Sequence, residues 1–160
     1  MRLNNTELLK FALSFADISK SILQKNYFKK FNIEEKNDGS LVTNIDKEIE
    51  EKFRKNLKRK FPEHGIIGEE FGYEKEDNEY VWILDPLDGT HSFIAGKPLF
   101  GTLICCMKNN RPIIGLIDIP ILNQRWFGGE KLGVKLNNVK CSKVNNKKKI
   151  NQTIMASTSL

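Results

Sequence analysis

The chain has 160 residues, enough for one domain with a real hydrophobic core and crowded for a second complete one. Its 39% hydrophobic and 29% charged residues give the balance of a soluble globular protein, which excludes wholesale disorder. No run nears the roughly 20 apolar residues that cross a bilayer.

The net charge of +6 raises nucleic acid as a partner. The basic runs Lys55–Lys60 and Lys147–Lys149 lack the interleaved aromatics of a single-strand platform, however, and read as solvated faces or as attraction for anionic metabolites. Residues 1–30 show no apolar run with a small-residue cleavage site, so the expected address is cytoplasmic. Cys105 and Cys106 sit together in an apolar run and read as buried, reduced thiols; two histidines without Cys/His spacing make no zinc site.

From Thr6 to Phe28, apolar residues at Leu8, Leu9, Ala12, Phe15, Ala16, Ile22 and Leu23 form the stripe of an amphipathic helix capped by Asn5 or Thr6. Phe31 to Ser40 reads as an irregular connection around the turn Asn37-Asp38-Gly39-Ser40. A second helix is predicted from Thr43, with Asp46 facing the free N–H groups of its first turn. Its seam is Ile45, Ile49, Phe53, Leu57 and Phe61, and Pro62 stops it.

Strand patterns follow. Ile66-Ile67 is short and ends at Gly68-Glu69-Glu70; Glu74 to Glu79 is a charged loop; Tyr80 to Leu84 is a buried strand closing at Asp85. Leu99 to Met107 and Pro112 to Ile119 read as a hairpin, and Gln124 to Phe127 with Leu132 to Leu136 as another. The class predicted is α+β, two helices packed on a largely antiparallel sheet. Residues 1–140 form the domain, and 141–160 read as a linker and the opening of a further strand.

In Leu84-Asp85-Pro86-Leu87-Asp88-Gly89-Thr90, Pro86 biases Asp85 to an extended conformation, and Gly89 permits a strained turn. Thr90 can cap a short helix over His91 to Ala95. Asp85, Asp88 and the Leu87 carbonyl are hard oxygen donors suited to Mg²⁺, and a helix N-terminus beside them suits phosphate. A surface β-turn explains the same residues, and spacing alone leaves the two readings level. Glu69 and Glu70 are a solvated loop end or further carboxylates of the cluster. Asp46 is a helix cap or a cap that also holds a water. Lys36 and Lys97 attract substrate charge or are plain surface lysines; His91 falls on the outer side of the short helix. Trp82 and Trp126 read as core. The two-residue gap between Asp85 and Asp88 excludes the haloacid-dehalogenase motif, whose aspartates are one residue apart.

Gly68-Glu69-Glu70 followed by Trp82-Ile-Leu-Asp-Pro-Leu-Asp-Gly-Thr90 resembles the inositol monophosphatase family, as do Asp38 to Asp46 and Phe61-Pro62. The resemblance implies the N-terminal part of a layered αβαβα sugar-phosphatase fold. It further implies that Glu69, Asp85 and the Leu87 carbonyl hold one Mg²⁺, that Asp85 and Asp88 share a second, and that Gly89 and Thr90 bind phosphate. Thr90 with Asp46 would orient the metal-activated water, with Glu69 in the catalytic set and Lys36 or His91 touching substrate charge.

His91 to Thr102 and Gly115 to Trp126 look most like the histidinol-phosphatase branch, which implies hydrolysis of L-histidinol phosphate in histidine biosynthesis. Inositol 1-phosphate and 3′(2′),5′-bisphosphate nucleotides are the alternative substrates. Family members continue into a second α/β domain that supplies one more metal ligand, so the resemblance also implies a fragment. A non-catalytic remnant is the alternative of another class. The partner expected is a small phosphorylated metabolite, with no nucleic acid, no membrane, and a homodimer at full length.

Overall fold

The computed structural model describes residues 4–75 and 77–142. The expected strand at 150–160 and most of the expected linker lie outside the described residues. Helix α1 (Asn5–Asn26) is capped by Asn4, whose side chain accepts the Thr6 N–H; the cap is one residue earlier than the sequence suggests. Helix α2 (Asn44–Lys60) starts as expected, with a capping box between Thr43 and Asp46. Both helices turn their apolar stripes to one core, where Phe11, Phe53, Phe61 and Trp82 meet edge to face or stacked.

Two short strands, β1 (Ile33–Glu35) and β2 (Leu41–Thr43), pair antiparallel between the helices. The stretch from Phe31 to Ser40 is therefore a small hairpin around its Asp38 turn rather than wholly irregular. The main sheet comprises β3 (Gly65–Gly68), β4 (Gly72–Glu74), β5 (Tyr80–Asp88), β6 (Gly101–Lys108), β7 (Arg111–Ile119), β8 (Gln124–Gly129), β9 (Gly133–Leu136) and β10 (Val139–Lys140). Its order is β10-β9-β8-β7-β6-β5-β3-β4, antiparallel except where β3 runs parallel to β5. The short helix α3 (Thr90–Ile94) follows β5. The α+β class thus holds, with three helices and a mixed, mostly antiparallel sheet. Asn109 and Asn110, both at positive φ, make the two-residue turn of the β6–β7 hairpin.

Helices α1 and α2 cover one face of the sheet. The other face carries an apolar depression of about 600 Å³ lined by residues including Ile83, Leu103, Cys105, Ile117 and Trp126, with Asp85 at its border. Trp126, expected in the core, is 37% exposed because its position on β8 faces away from the helices. Cys105 points to the same face and is half-buried, whereas Cys106 is fully buried on the helix side. Among the described residues no helix is long and apolar enough to cross a membrane.

Candidate metal and phosphate site

The site forms where parallel strands end. Gly68 of β3 pairs with Leu84 of β5, and the Glu69 N–H donates to the Leu84 carbonyl (3.2 Å), so Glu69 leaves the sheet beside Asp85. Strand β5 does not stop at Asp85 as its sequence suggests. It continues to Asp88 through a bulge: Asp85 opposes Leu103, and Asp88 opposes Gly101. Three steps on β5 match two on β6, so one residue is extra. In a regular strand, residues three apart face opposite sides. The extra residue restores parity, and Asp85 and Asp88 project from the same face.

Thr102 and Ser19 brace this bulge from beneath. Thr102 Oγ1 donates to the Pro86 carbonyl (2.9 Å) and lies 2.5 Å from Ser19 Oγ of α1, all of it buried. The Leu87 N–H donates to Asp85 Oδ1 (3.1 Å), an Asx turn that fixes the carboxylate. Gly89 follows at φ 82°, and a side chain there would lie 2.9 Å from the Leu99 carbonyl oxygen. Gly89, not Thr90, is the N-cap of α3, and no side chain caps it. The Thr90 hydroxyl serves elsewhere, reaching the Leu87 carbonyl (3.0 Å) and Asp46 Oδ1 (3.3 Å).

Asp46 comes from the first turn of α2 and is buried. Its Oδ2 accepts the Thr43 N–H (3.0 Å) and the Thr43 hydroxyl. Burial raises its pKa above the usual carboxylate value, against the opposing pull of those Thr43 bonds. Glu70 is raised likewise, first by burial, although Lys36 counteracts it. Burial pushes Asp85 up to about 8, helped by the adjacent, hydrogen-bonded Glu69 carboxylate and then by Asp88.

Five carboxylates, from Asp46, Glu69, Glu70, Asp85 and Asp88, thus share one neighbourhood. Lys36 is the one cation bonded to them among the described residues, at 3.2 Å from Glu69 and 2.9 Å from Glu70. Its ammonium donates to both of these carboxylates. His91 is exposed on α3 and makes no side-chain hydrogen bond among the described residues; Lys97 is exposed as well.

Among the described residues no three His, Cys, Asp or Glu side chains already close into a metal cage. The donor chemistry nevertheless fits a hard divalent cation: carboxylate oxygens, plus a Leu87 carbonyl whose second lone pair is left by Thr90. Mutual repulsion among the acids is what such a cation relieves.

Sequence reasoning missed Glu50. It is fully buried in α2, and its carboxylate holds the turn that carries Glu69 and Glu70. The available signal was Glu50 and Arg54 one helical turn apart beside the apolar seam.

A mixed sheet under two long helices, with carboxylates gathered where its parallel strands end, defines an α+β protein built around an acidic cluster. The chain belongs to the inositol monophosphatase family, whose sequence profile matches residues 4–160. It is 46% identical over 140 residues to the bifunctional phosphatase IMPL2, chloroplastic, of Arabidopsis thaliana, covering 84% of this chain and 40% of that protein. It is 37% identical over 118 residues to a fructose-1,6-bisphosphatase/inositol-1-monophosphatase of Aquifex aeolicus, covering 72% of this chain and 45% of that one. Histidinol-phosphatase of Mycobacterium tuberculosis matches at 32% over 126 residues, 78% of this chain and 48% of that one. Among solved structures, the Thermotoga maritima IMPase superposes with a TM-score of 0.81 at 27% identity, covering 88% of this chain and 55% of that one. The chain therefore spans about half the length of the relatives it matches.

Proposed function

We propose that this chain carries the metal- and phosphate-binding groups of a Mg²⁺-dependent phosphomonoesterase that converts L-histidinol phosphate and water to L-histidinol and phosphate. The observation that carries this reading is the convergence of Glu69, Asp85 and Asp88 on one side of the β5 bulge, next to the Thr90–Asp46 pair.

In this reading Glu69, Asp85, the Leu87 carbonyl and Asp88 would hold Mg²⁺. The ion supplies charge neutralisation for the transferring phosphoryl group and a more acidic water. Gly89 and Thr90 would receive the phosphate through their backbone N–H groups. Thr90 has one hydroxyl proton and two acceptors within reach. When it donates to Asp46, its oxygen lone pair is free to accept from the attacking water and aim that water at phosphorus. Asp46 is held for this by Thr43 from behind.

Support for the substrate comes from the stretches His91 to Thr102 and Gly115 to Trp126 and from the histidinol-phosphatase relative. The Aquifex relative's name favours a second reading, in which inositol 1-phosphate is the substrate. Phosphate release from L-histidinol phosphate, inositol 1-phosphate and adenosine 3′,5′-bisphosphate, measured side by side, decides among them. A clear preference for L-histidinol phosphate is expected; a preference for either other compound overturns the assignment. Turnover of none of them favours a non-catalytic role. The further expectations are a cytoplasmic address, a homodimer of the longer protein, and no nucleic-acid or membrane partner. Steeply salt-dependent RNA or DNA binding would overturn the nucleic-acid expectation.

A further inference from the structure

The turn after β3 is tied down at three successive backbone N–H groups. Glu69 N–H donates to the Leu84 carbonyl (3.2 Å), Glu70 N–H to Glu50 Oε2 (2.8 Å) and Phe71 N–H to Glu50 Oε1 (3.1 Å). Arg54, one helical turn beyond Glu50, donates to Oε1 through Nε (2.9 Å) and Nη2 (2.7 Å). The same Nη2 reaches the Gly72 carbonyl (2.6 Å), at the far end of the turn. Glu50 thus accepts four hydrogen bonds, three at Oε1 and one at Oε2.

Gly68 belongs to the same arrangement. A Cβ at that position would sit 1.9 Å from Glu50 Oε1, so the glycine ahead of Glu69 is required by the carboxylate packed against it. An apolar residue of similar size in place of Glu50 would strand the largely buried Arg54 guanidinium and leave the Glu70 and Phe71 N–H groups unpaired. Beyond that stability, Glu50 contributes geometry. It fixes the peptide after Glu69, just as β5 fixes the peptide before it.

We propose that Glu50 is a positioning residue that aims the Glu69 carboxylate at Asp85. It thereby makes the Glu69 turn one rigid body with α2, whose first turn carries Asp46. Lys36 bonds the Glu69 and Glu70 side chains, whereas the buried Glu50 holds the Glu70 and Phe71 backbone N–H groups. The proposal rests on the reading of Glu69 as a metal ligand.

The test is titration of the chain with Mn²⁺ alone, followed by the loss of the free-ion electron paramagnetic resonance signal; Mn²⁺ takes the same oxygen donors as Mg²⁺. Wild type, Glu69→Gln, Glu50→Gln and a core control, Leu8→Val, are compared after each is shown to unfold cooperatively. Glu50→Asp retracts the carboxylate by one methylene while keeping its charge, and it replaces the Gln variant if that variant does not fold. The expected result is an affinity about tenfold weaker for the Glu50 variants and unchanged for Leu8→Val, although all lose thermal stability. Wild-type affinity in the Glu50 variants, with Glu69→Gln weakened, overturns the proposal and leaves the metal reading standing. No effect of Glu69→Gln overturns the metal reading and the proposal with it.

Discussion

The hydroxyl of Thr90 lies 3.3 Å from Asp46 Oδ1, joining the short helix after β5 to the first turn of α2 across 44 positions of sequence. Neither residue gains much from the contact as a stabilising bond, because Thr90 already has the Leu87 carbonyl at 3.0 Å and Asp46 already has Thr43. In the proposed mechanism its consequence would be functional, with one threonine oxygen aimed by two fixed acceptors. Thr90→Val should lower kcat about a hundredfold or more with KM little changed, and Thr90→Ser should retain most activity. Steady-state phosphate release checks both, and a Val variant as fast as wild type would remove Thr90 from the mechanism.

Thr43 does two tasks with one side chain. It accepts the Ile45 N–H (3.1 Å) as the cap of α2 and donates its hydroxyl to Asp46. Thr43→Ala should destabilise the fold by about 1–2 kcal/mol. The urea midpoint should fall with the slope unchanged, and an unaltered midpoint would mean that the cap contributes nothing.

The bulge under Asp85 depends on a buried chain from Ser19 through Thr102 to the Pro86 carbonyl. Thr102→Val strands both ends of that chain and should cost about 1–3 kcal/mol per stranded group. Ser19→Ala leaves the Thr102–Pro86 bond intact and should cost less. Urea unfolding of the two single variants and the double variant gives the coupling; equal losses for the two singles would show that Thr102 does not hold Pro86.

His64 is stacked between Phe61 and Tyr80, at 4.6 and 4.8 Å between ring centres, and its Nδ1 accepts the Trp82 indole N–H (3.0 Å). Burial lowers its pKa from the ordinary 6.5. The unfolded chain therefore takes up this proton first, so the neutral ring's contribution is complete above about pH 6.5 and is lost as pH falls through the lower folded value. The stability difference between wild type and His64→Phe should shrink between pH 7.5 and pH 5. A difference that is constant with pH would show that folding leaves the His64 pKa at its ordinary value.

Much of this architecture is legible in the sequence because it is local. The seam Ile45, Ile49, Phe53, Leu57 and the Thr43–Asp46 box give α2, and the alternation of apolar runs with turns gives the hairpins. Two features of the site are not local. The continuation of β5 to Asp88 is decided by pairing with Gly101 across the sheet, so Pro86 alone suggests a strand end where the structure has a bulge. Glu50 looks like one more charge on a charged helix because the N–H groups it satisfies, at Glu70 and Phe71, lie 20 and 21 residues away. Trp126 reads as core in the sequence and is part-exposed in the structure for a related reason. Its burial depends on which face of β8 it occupies, and that parity is set by register with β7.

In the proposed function, Glu69, Asp85 and Asp88 form a divalent-metal site serving phosphate-ester hydrolysis. Its most direct measurement is phosphate release from L-histidinol phosphate by the wild-type protein and by Asp88→Asn, each in Mg²⁺ and in EDTA. Release that requires Mg²⁺ and is abolished in Asp88→Asn is the predicted result. Equal release in EDTA, or an Asp88→Asn variant as active as wild type, would contradict the account.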